Sequence, residues 1–308
     1  MSRRILLTAV LAGSTLLGGC AMFKASQRPP ADVMVERTPE RVKRGEYLAN
    51  RVMNCMECHT AADPVTHAPV AEKFGMGGKY FGPEMGLPGK IYSSNLTSAP
   101  KTGLGNWTDG EILRAMREGV AKDGRALFPL MPYMNYRSMS DEDAYSIIAY
   151  LRTLEPKENE VPGRSLDFPL NFIVNTIPKP LEGAVPPAPS DKVAYGQYLF
   201  NQASCTDCHT PSEKGQPIKE KFAAGGMEFK MGDHKLVAPN ITPDAETGIG
   251  KWSDAQIKDA LQTGRRPDGR ALSPLMPWQY YNGLTDKDVD ALVAYMRTIT
   301  PVKNVIAR

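Results

Sequence analysis

The sequence predicts an all-α protein in which one domain is used twice in tandem, with a proline-rich linker between the copies. Three observations carry this expectation: an internal repeat, helix-start signals at matching places in both copies, and a run of prolines between them. Cys55-Met-Glu-Cys58-His59-Thr60 corresponds to Cys205-Thr-Asp-Cys208-His209-Thr210, 150 positions later. A second block aligns without gaps at an offset of 145. In it Asn95-Leu-Thr97 matches Asn240-Ile-Thr242, and Asp123-Gly-Arg-Ala-Leu-Phe-Pro-Leu-Met-Pro132 matches Asp268-Gly-Arg-Ala-Leu-Ser-Pro-Leu-Met-Pro277. Ala149-Tyr-Leu-Arg-Thr-Leu154 matches Ala294-Tyr-Met-Arg-Thr-Ile299.

The elements follow in chain order. In residues 1–19 two arginines, Arg3 and Arg4, precede an apolar run from Ile5 to Leu17 that is too short to span a bilayer, so this segment reads as an export signal. It ends in Leu17-Gly-Gly-Cys20, which resembles the bacterial lipobox, where the cysteine is lipidated. Residues 20–37 are then a membrane tether. The first domain is expected over 38–156. It opens with Thr38 as N-cap and Pro39 at the first helical position, in a helix that runs up to the first cysteine. Thr108-Asp-Gly-Glu111 is a capping box, Gly119 a suitable stop, and Ala144, Ile147, Ile148 and Leu151 give the last helix one apolar stripe. Gly45 and Gly196, unfavourable in mid-helix, imply a close helix crossing, for which Tyr150 and Tyr295 are the expected partners.

Residues 157–190 hold seven prolines and no helical period, so they are expected to be an extended, semi-rigid linker. Its apolar patch Leu170-Asn-Phe-Ile-Val174 predicts that part of it packs on a domain. The second domain, 191–308, repeats the signals. Ser253-Asp-Ala-Gln256 is the capping box, Gly264 the stop, and Val289, Leu292, Val293 and Met296 the stripe.

Five cysteines are an odd number for an exported chain. Setting Cys20 aside leaves four, in two identical C-x-x-C-H motifs. Two thiols three positions apart on one turn can add to the two vinyl groups of a haem, and the adjacent histidine then presents its imidazole to the iron. Cys55, Cys58, Cys205 and Cys208 are therefore the expected attachment points of two covalently bound haem c groups, with His59 and His209 as axial ligands. A zinc site would need two more ligands near each pair, and only His67 and His234 are spare, at positions that do not match in the repeat. A thioredoxin-like pair would need a βαβ pattern that is lacking.

Met131 and Met276, equivalent in Pro-Leu-Met-Pro, are the preferred sixth ligands, because the flanking prolines fix a loop that must hold a sulfur in place. Met85 and Met231, roughly equivalent and each followed by glycine, are the alternative. Trp107, Trp252, Arg125 and Arg270 recur in both halves as candidate propionate contacts, against a bland reading as core packing and solvated surface. Asn95 and Asn240 match the glycosylation pattern, a poor reading behind a bacterial lipoprotein signal. Apolar content of 42%, charged content of 23% and a formal net charge of +3 describe a soluble globular chain without a basic stripe, which excludes nucleic-acid binding.

These motifs look like class I cytochrome c domains. More closely, Asn240-Ile-Thr-Pro-Asp-Ala-Glu-Thr-Gly-Ile-Gly-Lys-Trp-Ser-Asp254 and Gly269-Arg-Ala-Leu-Ser-Pro-Leu-Met-Pro277 resemble the cytochrome c subunits of membrane-bound alcohol and gluconate dehydrogenases. The resemblance spans about 43–155 and 193–301. It implies proximal His59 and His209 and distal Met131 and Met276. Those subunits carry three haems, and two motifs stand here. The expected function is periplasmic electron transfer between a dehydrogenase or other respiratory donor and a downstream acceptor. The protein would sit on a bacterial membrane by its lipid anchor, the outer membrane favoured by Ala21 after Cys20. The competing class is a haem enzyme, such as a diheme peroxidase or a thiosulfate-oxidising cytochrome. A peroxidase needs an open iron position, and here each haem has a methionine available.

Overall fold

The computed structural model describes residues 28–63, 69–213, 215–231 and 234–306. The expected export signal, Cys20, the first part of the expected tether and His67 lie outside them. In the first half, α1 (Pro39–Tyr47) opens at Thr38, whose hydroxyl accepts a hydrogen bond from the Arg41 amide, and it continues through a π-helical turn, Leu48–Val52. Then come α2 (Cys55–His59), α3 (Asp109–Glu118), α4 (Tyr133–Tyr136) and α5 (Asp141–Leu151). A short α6 (Leu170–Ile173) lies in the linker. The second half runs α7 (Lys192–Gln202), α8 (Cys205–His209), α9 (Asp254–Thr263), α10 (Trp278–Tyr281) and α11 (Asp286–Thr298). Both capping boxes form, and both are closed by a left-handed glycine, Gly119 at φ 75° and Gly264 at φ 68°.

The expectation of an all-α chain needs correction. Seven short strands occur among the described residues: β1 (Tyr80–Phe81), β2 (Gly89–Tyr92), β3 (Ser165–Leu166), β4 (Ser212–Glu213), β5 (Gln216–Pro217), β6 (Glu228–Met231) and β7 (His234–Val237). All pairings are antiparallel, as β1-β2-β3, β4-β5 and β6-β7. All but β3, which the linker contributes, form where the glycine-rich loops after each C-x-x-C-H motif double back on themselves, and pairing there satisfies backbone groups that no helix reaches.

In each half the first and last helices cross on a glycine. A Cβ on Gly45 would overlap the carbonyl oxygen of Ser146, and one on Gly196 that of Ala291. The expected partners Tyr150 and Tyr295 stand one turn further along. The closest approach is backbone to backbone, although the Tyr295 Cβ also lies 2.9 Å from the Gly196 position. A single apolar cluster runs through both halves, with Leu48, Ile147, Phe200 and Val289 at 1% exposure or less. Burying each such side chain stabilises the fold by about 1.5–3 kcal/mol.

Reciprocal hydrogen bonds seal the two halves. The Tyr47 hydroxyl donates to Asp288 Oδ2 at 2.6 Å and accepts from the Thr285 amide at 3.1 Å. Its counterpart Tyr198 donates to Asp143 Oδ2 at 2.7 Å and accepts from the Ser140 amide at 3.3 Å. Each tyrosine leaves α1 or α7 of its own half and reaches the first turn of α5 or α11 in the other.

Two segments outside the repeated blocks are docked, the second as its apolar patch predicts. Residues 28–37, expected to belong to a membrane tether, lie along α3, with Val35 buried and its amide donating to Asp109 at 2.8 Å, and with Arg28 paired to Glu118 at 2.6 Å. The linker adds β3 to β2 and buries Val174 against Val120 and Ala126. Apolar side chains in both segments make this docking more favourable than an extended solvated path.

Candidate haem sites

Each C-x-x-C-H helix starts from a residue in the left-handed region, Asn54 at φ 53° and Ser204 at φ 56°. That reversal turns the chain out of the preceding helix so that a five-residue helix can present two thiols and an imidazole together. The two imidazoles are held alike. His59 Nδ1 lies 2.7 Å from the Ser94 carbonyl oxygen, and His209 Nδ1 lies 2.8 Å from that of Pro239. A carbonyl only accepts, so Nδ1 carries the proton and Nε2 keeps a free lone pair. Burial lowers both histidine pKa values and so favours the neutral, metal-binding form. The residue after each histidine repeats the pattern: Thr60 accepts from the Gly75 amide and Thr210 from the Ala223 amide.

All four cysteines are unbridged and partly buried. Burial pushes the Cys55 and Cys205 thiols up to about 12 and Cys208 up to about 11, and raises Cys58 further. A thiol held protonated is a poor redox nucleophile. No group of three or more metal-binding side chains occurs among the described residues. The raised thiol pKa values leave the thioredoxin-like reading without support.

Met131 and Met276 occupy matching loops. Their amides donate to Phe128 and Ser273 at 3.1 and 3.0 Å, and their carbonyls accept from Tyr133 and Trp278, both at 2.8 Å. The following prolines adopt nearly identical backbone angles, φ −81° and ψ 47° at Pro132, φ −80° and ψ 44° at Pro277. Both methionines are partly buried against the core, whereas Met85 stands 40% exposed.

The aromatic residue after each Pro-Leu-Met-Pro was not singled out in the sequence. The Tyr133 ring covers Gly119 and the Trp278 ring covers Gly264 so closely that a Cβ on either glycine would collide with it. The Tyr133 hydroxyl and the Trp278 indole nitrogen are buried without a hydrogen-bond partner among the described residues. Trp107 and Trp252 are half-buried, and their backbone carbonyls accept from Arg152 and Arg297. The Arg125 and Arg270 side chains are 46% and 57% exposed, and each holds the aspartate two residues before it. The Arg270 guanidinium holds Asp268 down to about 2.

The two motifs also meet the opposite half. Asn135, four residues after Met131, donates to both carboxylate oxygens of Asp207 at 3.0 and 2.9 Å. Asp207 lies between Cys205 and Cys208. Tyr136 and Tyr281 are buried beside the cysteines of their own halves.

Unbridged thiol pairs, free imidazole Nε2 atoms and buried donors lacking partners fit a planar, acidic, iron-bearing group in each half. Comparison with known proteins agrees. The family model for cytochrome c matches residues 42–155 and 193–300. The chain is 30% identical over 98% of its length to the cytochrome c subunit of the quinone alcohol dehydrogenase of Gluconacetobacter polyoxogenes. It is 31% identical over 95% to the cytochrome subunit of fructose dehydrogenase of Gluconobacter japonicus. It spans 63% and 59% of those two relatives' lengths. A diheme cytochrome c-type protein of Cereibacter sphaeroides is 26% identical over 81% of this chain and 83% of its own.

The chain belongs to the cytochrome c family. It carries two covalently bound haem c groups.

Proposed function

We propose that this chain is a periplasmic electron-transfer protein with two His/Met haems, made of one domain duplicated in tandem. Cys55 and Cys58 hold one haem and Cys205 and Cys208 the other. His59 and His209 are the proximal ligands, and Met131 and Met276 the distal ones. The haem supplies one-electron redox chemistry when bound. The chain's own part is to fix each imidazole by its carbonyl acceptor, to place a thioether opposite, and to keep water off the buried faces. A thioether ligand closes the iron and raises its potential, which suits a carrier rather than an oxygen- or peroxide-activating site.

The observation that carries this reading is the paired histidine geometry, the same Nδ1-to-carbonyl bond in both halves at 2.7 and 2.8 Å. The dehydrogenase names of the relatives support a dehydrogenase complex as electron donor, with this chain as its cytochrome subunit. Lipidation of Cys20 on the periplasmic face, at the outer membrane, would hold it near that donor. The reading is tested by the methionine–iron charge-transfer band of the oxidised protein. Two bands' worth of intensity per chain, with no CO or peroxide binding, is expected, and Met131→Ala and Met276→Ala each remove half. A high-spin or bis-histidine haem contradicts it. Cys20→Ser is expected to release the mature chain from membranes, and retention there refutes the anchor.

A further inference from the structure

We propose that residues 164–185, which lie outside both family-matched spans, are a strap that positions Met131, so that the first haem keeps its thioether while the second exchanges it readily. The inference rests on the methionine ligation proposed above and assigns a role to a segment with no counterpart in that reading.

The strap grips the Met131 loop on both sides. Before Met131, Val174 is 2% exposed and packs on Val120 (1%) and Ala126 (0%), flanked by Phe128. Arg164 donates to the Ala126 carbonyl. After Met131, Arg137 donates to the Lys179 and Pro180 carbonyls at 2.5 and 3.0 Å. Asp141 is bound to Val185 through both its amide and its carboxylate. The strap is itself fixed to the domain by the β2–β3 pairing, Gly89 with Leu166 and Lys90 with Ser165.

The matching loop of the second half is built differently. At the positions of Val120, Ala121 and Phe128 the chain has Arg265, Arg266 and Ser273. Arg265 and Ala271 are exposed where Val120 and Ala126 are buried. The loops share their backbone pattern, including the cross-loop bridges Val120↔Ala126 and Arg265↔Ala271, so the difference lies in what covers them. To leave its site, a distal ligand must carry its loop outward. In the first half that motion breaks a buried apolar contact and at least three strap hydrogen bonds; in the second the matching positions, Arg265 and Ala271, are already exposed.

The test is displacement of methionine by added imidazole in the oxidised holoprotein, followed by loss of the charge-transfer band. In Met276→Ala the remaining band belongs to the strapped site, and in Met131→Ala to the open one. Imidazole should displace the band at least about tenfold more tightly in Met131→Ala, a difference of ~1.4 kcal/mol. Val174→Ala and, separately, Arg164→Ala, each placed in Met276→Ala, should recover about that factor. The same changes placed in Met131→Ala should leave the affinity unchanged. Equal affinities in the two methionine variants, or no effect of either strap variant, overturn the proposal. Band loss in neither methionine variant overturns the ligand assignment and the strap with it.

Discussion

Replacing Tyr47 by phenylalanine should destabilise the chain more than the same change at Tyr198, although the two occupy equivalent places in the seal between the halves. Each loses one hydrogen bond to a carboxylate and one from a helix N-terminal amide. The difference lies in what remains for the acceptor. Asp143, 6% exposed, keeps a two-pronged pair with Arg44 at 2.8 and 3.0 Å. The position of Arg44 is taken in the second half by Tyr195, and no ion pair to Asp288, 4% exposed, is found among the described contacts. A hydrogen bond to a charged group contributes about 1.5–3 kcal/mol, and leaving a buried carboxylate without its donor brings the loss to the upper end. Tyr198→Phe should therefore cost about 1.5 kcal/mol and Tyr47→Phe about 3 kcal/mol. For a chain of this size these correspond to Tm decreases of about 2 and about 5 °C. Denaturant and thermal unfolding of the holoprotein measure both. Equal losses, or a larger loss at Tyr198, would refute the argument that Arg44 protects Asp143.

Other outcomes follow from the same contacts. Gly196→Ala and Gly45→Ala each push a methyl into a helix carbonyl and should cost about 1–3 kcal/mol; a neutral change would show that the crossing relaxes freely. Burial holds the phenols of Tyr47, Tyr198, Tyr136 and Tyr281 above the usual tyrosine range. Since free tyrosine ionises near pH ~10, the folded form keeps protons that the unfolded chain loses above that pH. Stability should then be fully present below about pH 10 and fall as the pH rises beyond it, less steeply in the Tyr47→Phe/Tyr198→Phe double variant; a flat profile to about pH 11 would count against this. Asn240→Ala removes the side chain that bridges Thr242, Thr247 and the Val302 carbonyl. With the Thr242 amide left unpaired and the Val302 carbonyl keeping only the long bond from the Thr242 hydroxyl, it should cost about 2–3 kcal/mol by denaturant unfolding, and a loss below half a kilocalorie would make the bridge dispensable.

What was legible in the sequence was whatever repeats. The motifs, the caps at Thr108 and Ser253, the stops at Gly119 and Gly264 and the twin Pro-Leu-Met-Pro loops follow from local chemistry stated twice. Asn95 and Asn240 repeat as well, but beyond a glycosylation pattern already read as poor the sequence offered them no role, and the structure buries both as hubs of a turn. Contacts between the halves were illegible. Tyr47 and Asp288 are 241 positions apart, and a tyrosine on an apolar helix stripe looks like ordinary core. The strands escaped because two to four residues cannot establish an alternation. The apolar patch at 170–174 did predict docking, but its target, the loop before Met131, is set by tertiary packing. The exposed positions of Arg125 and Arg270 likewise could not be read from their conserved spacing to Met131 and Met276 within the repeat.

The central claim is that each half attaches its own haem through its own pair of cysteines. Intact-mass measurement of the mature chain tests it most directly. The account predicts two haem masses on the native chain and one on each of the Cys55→Ala/Cys58→Ala and Cys205→Ala/Cys208→Ala variants. A single haem on the native chain, or two on either variant, would contradict it.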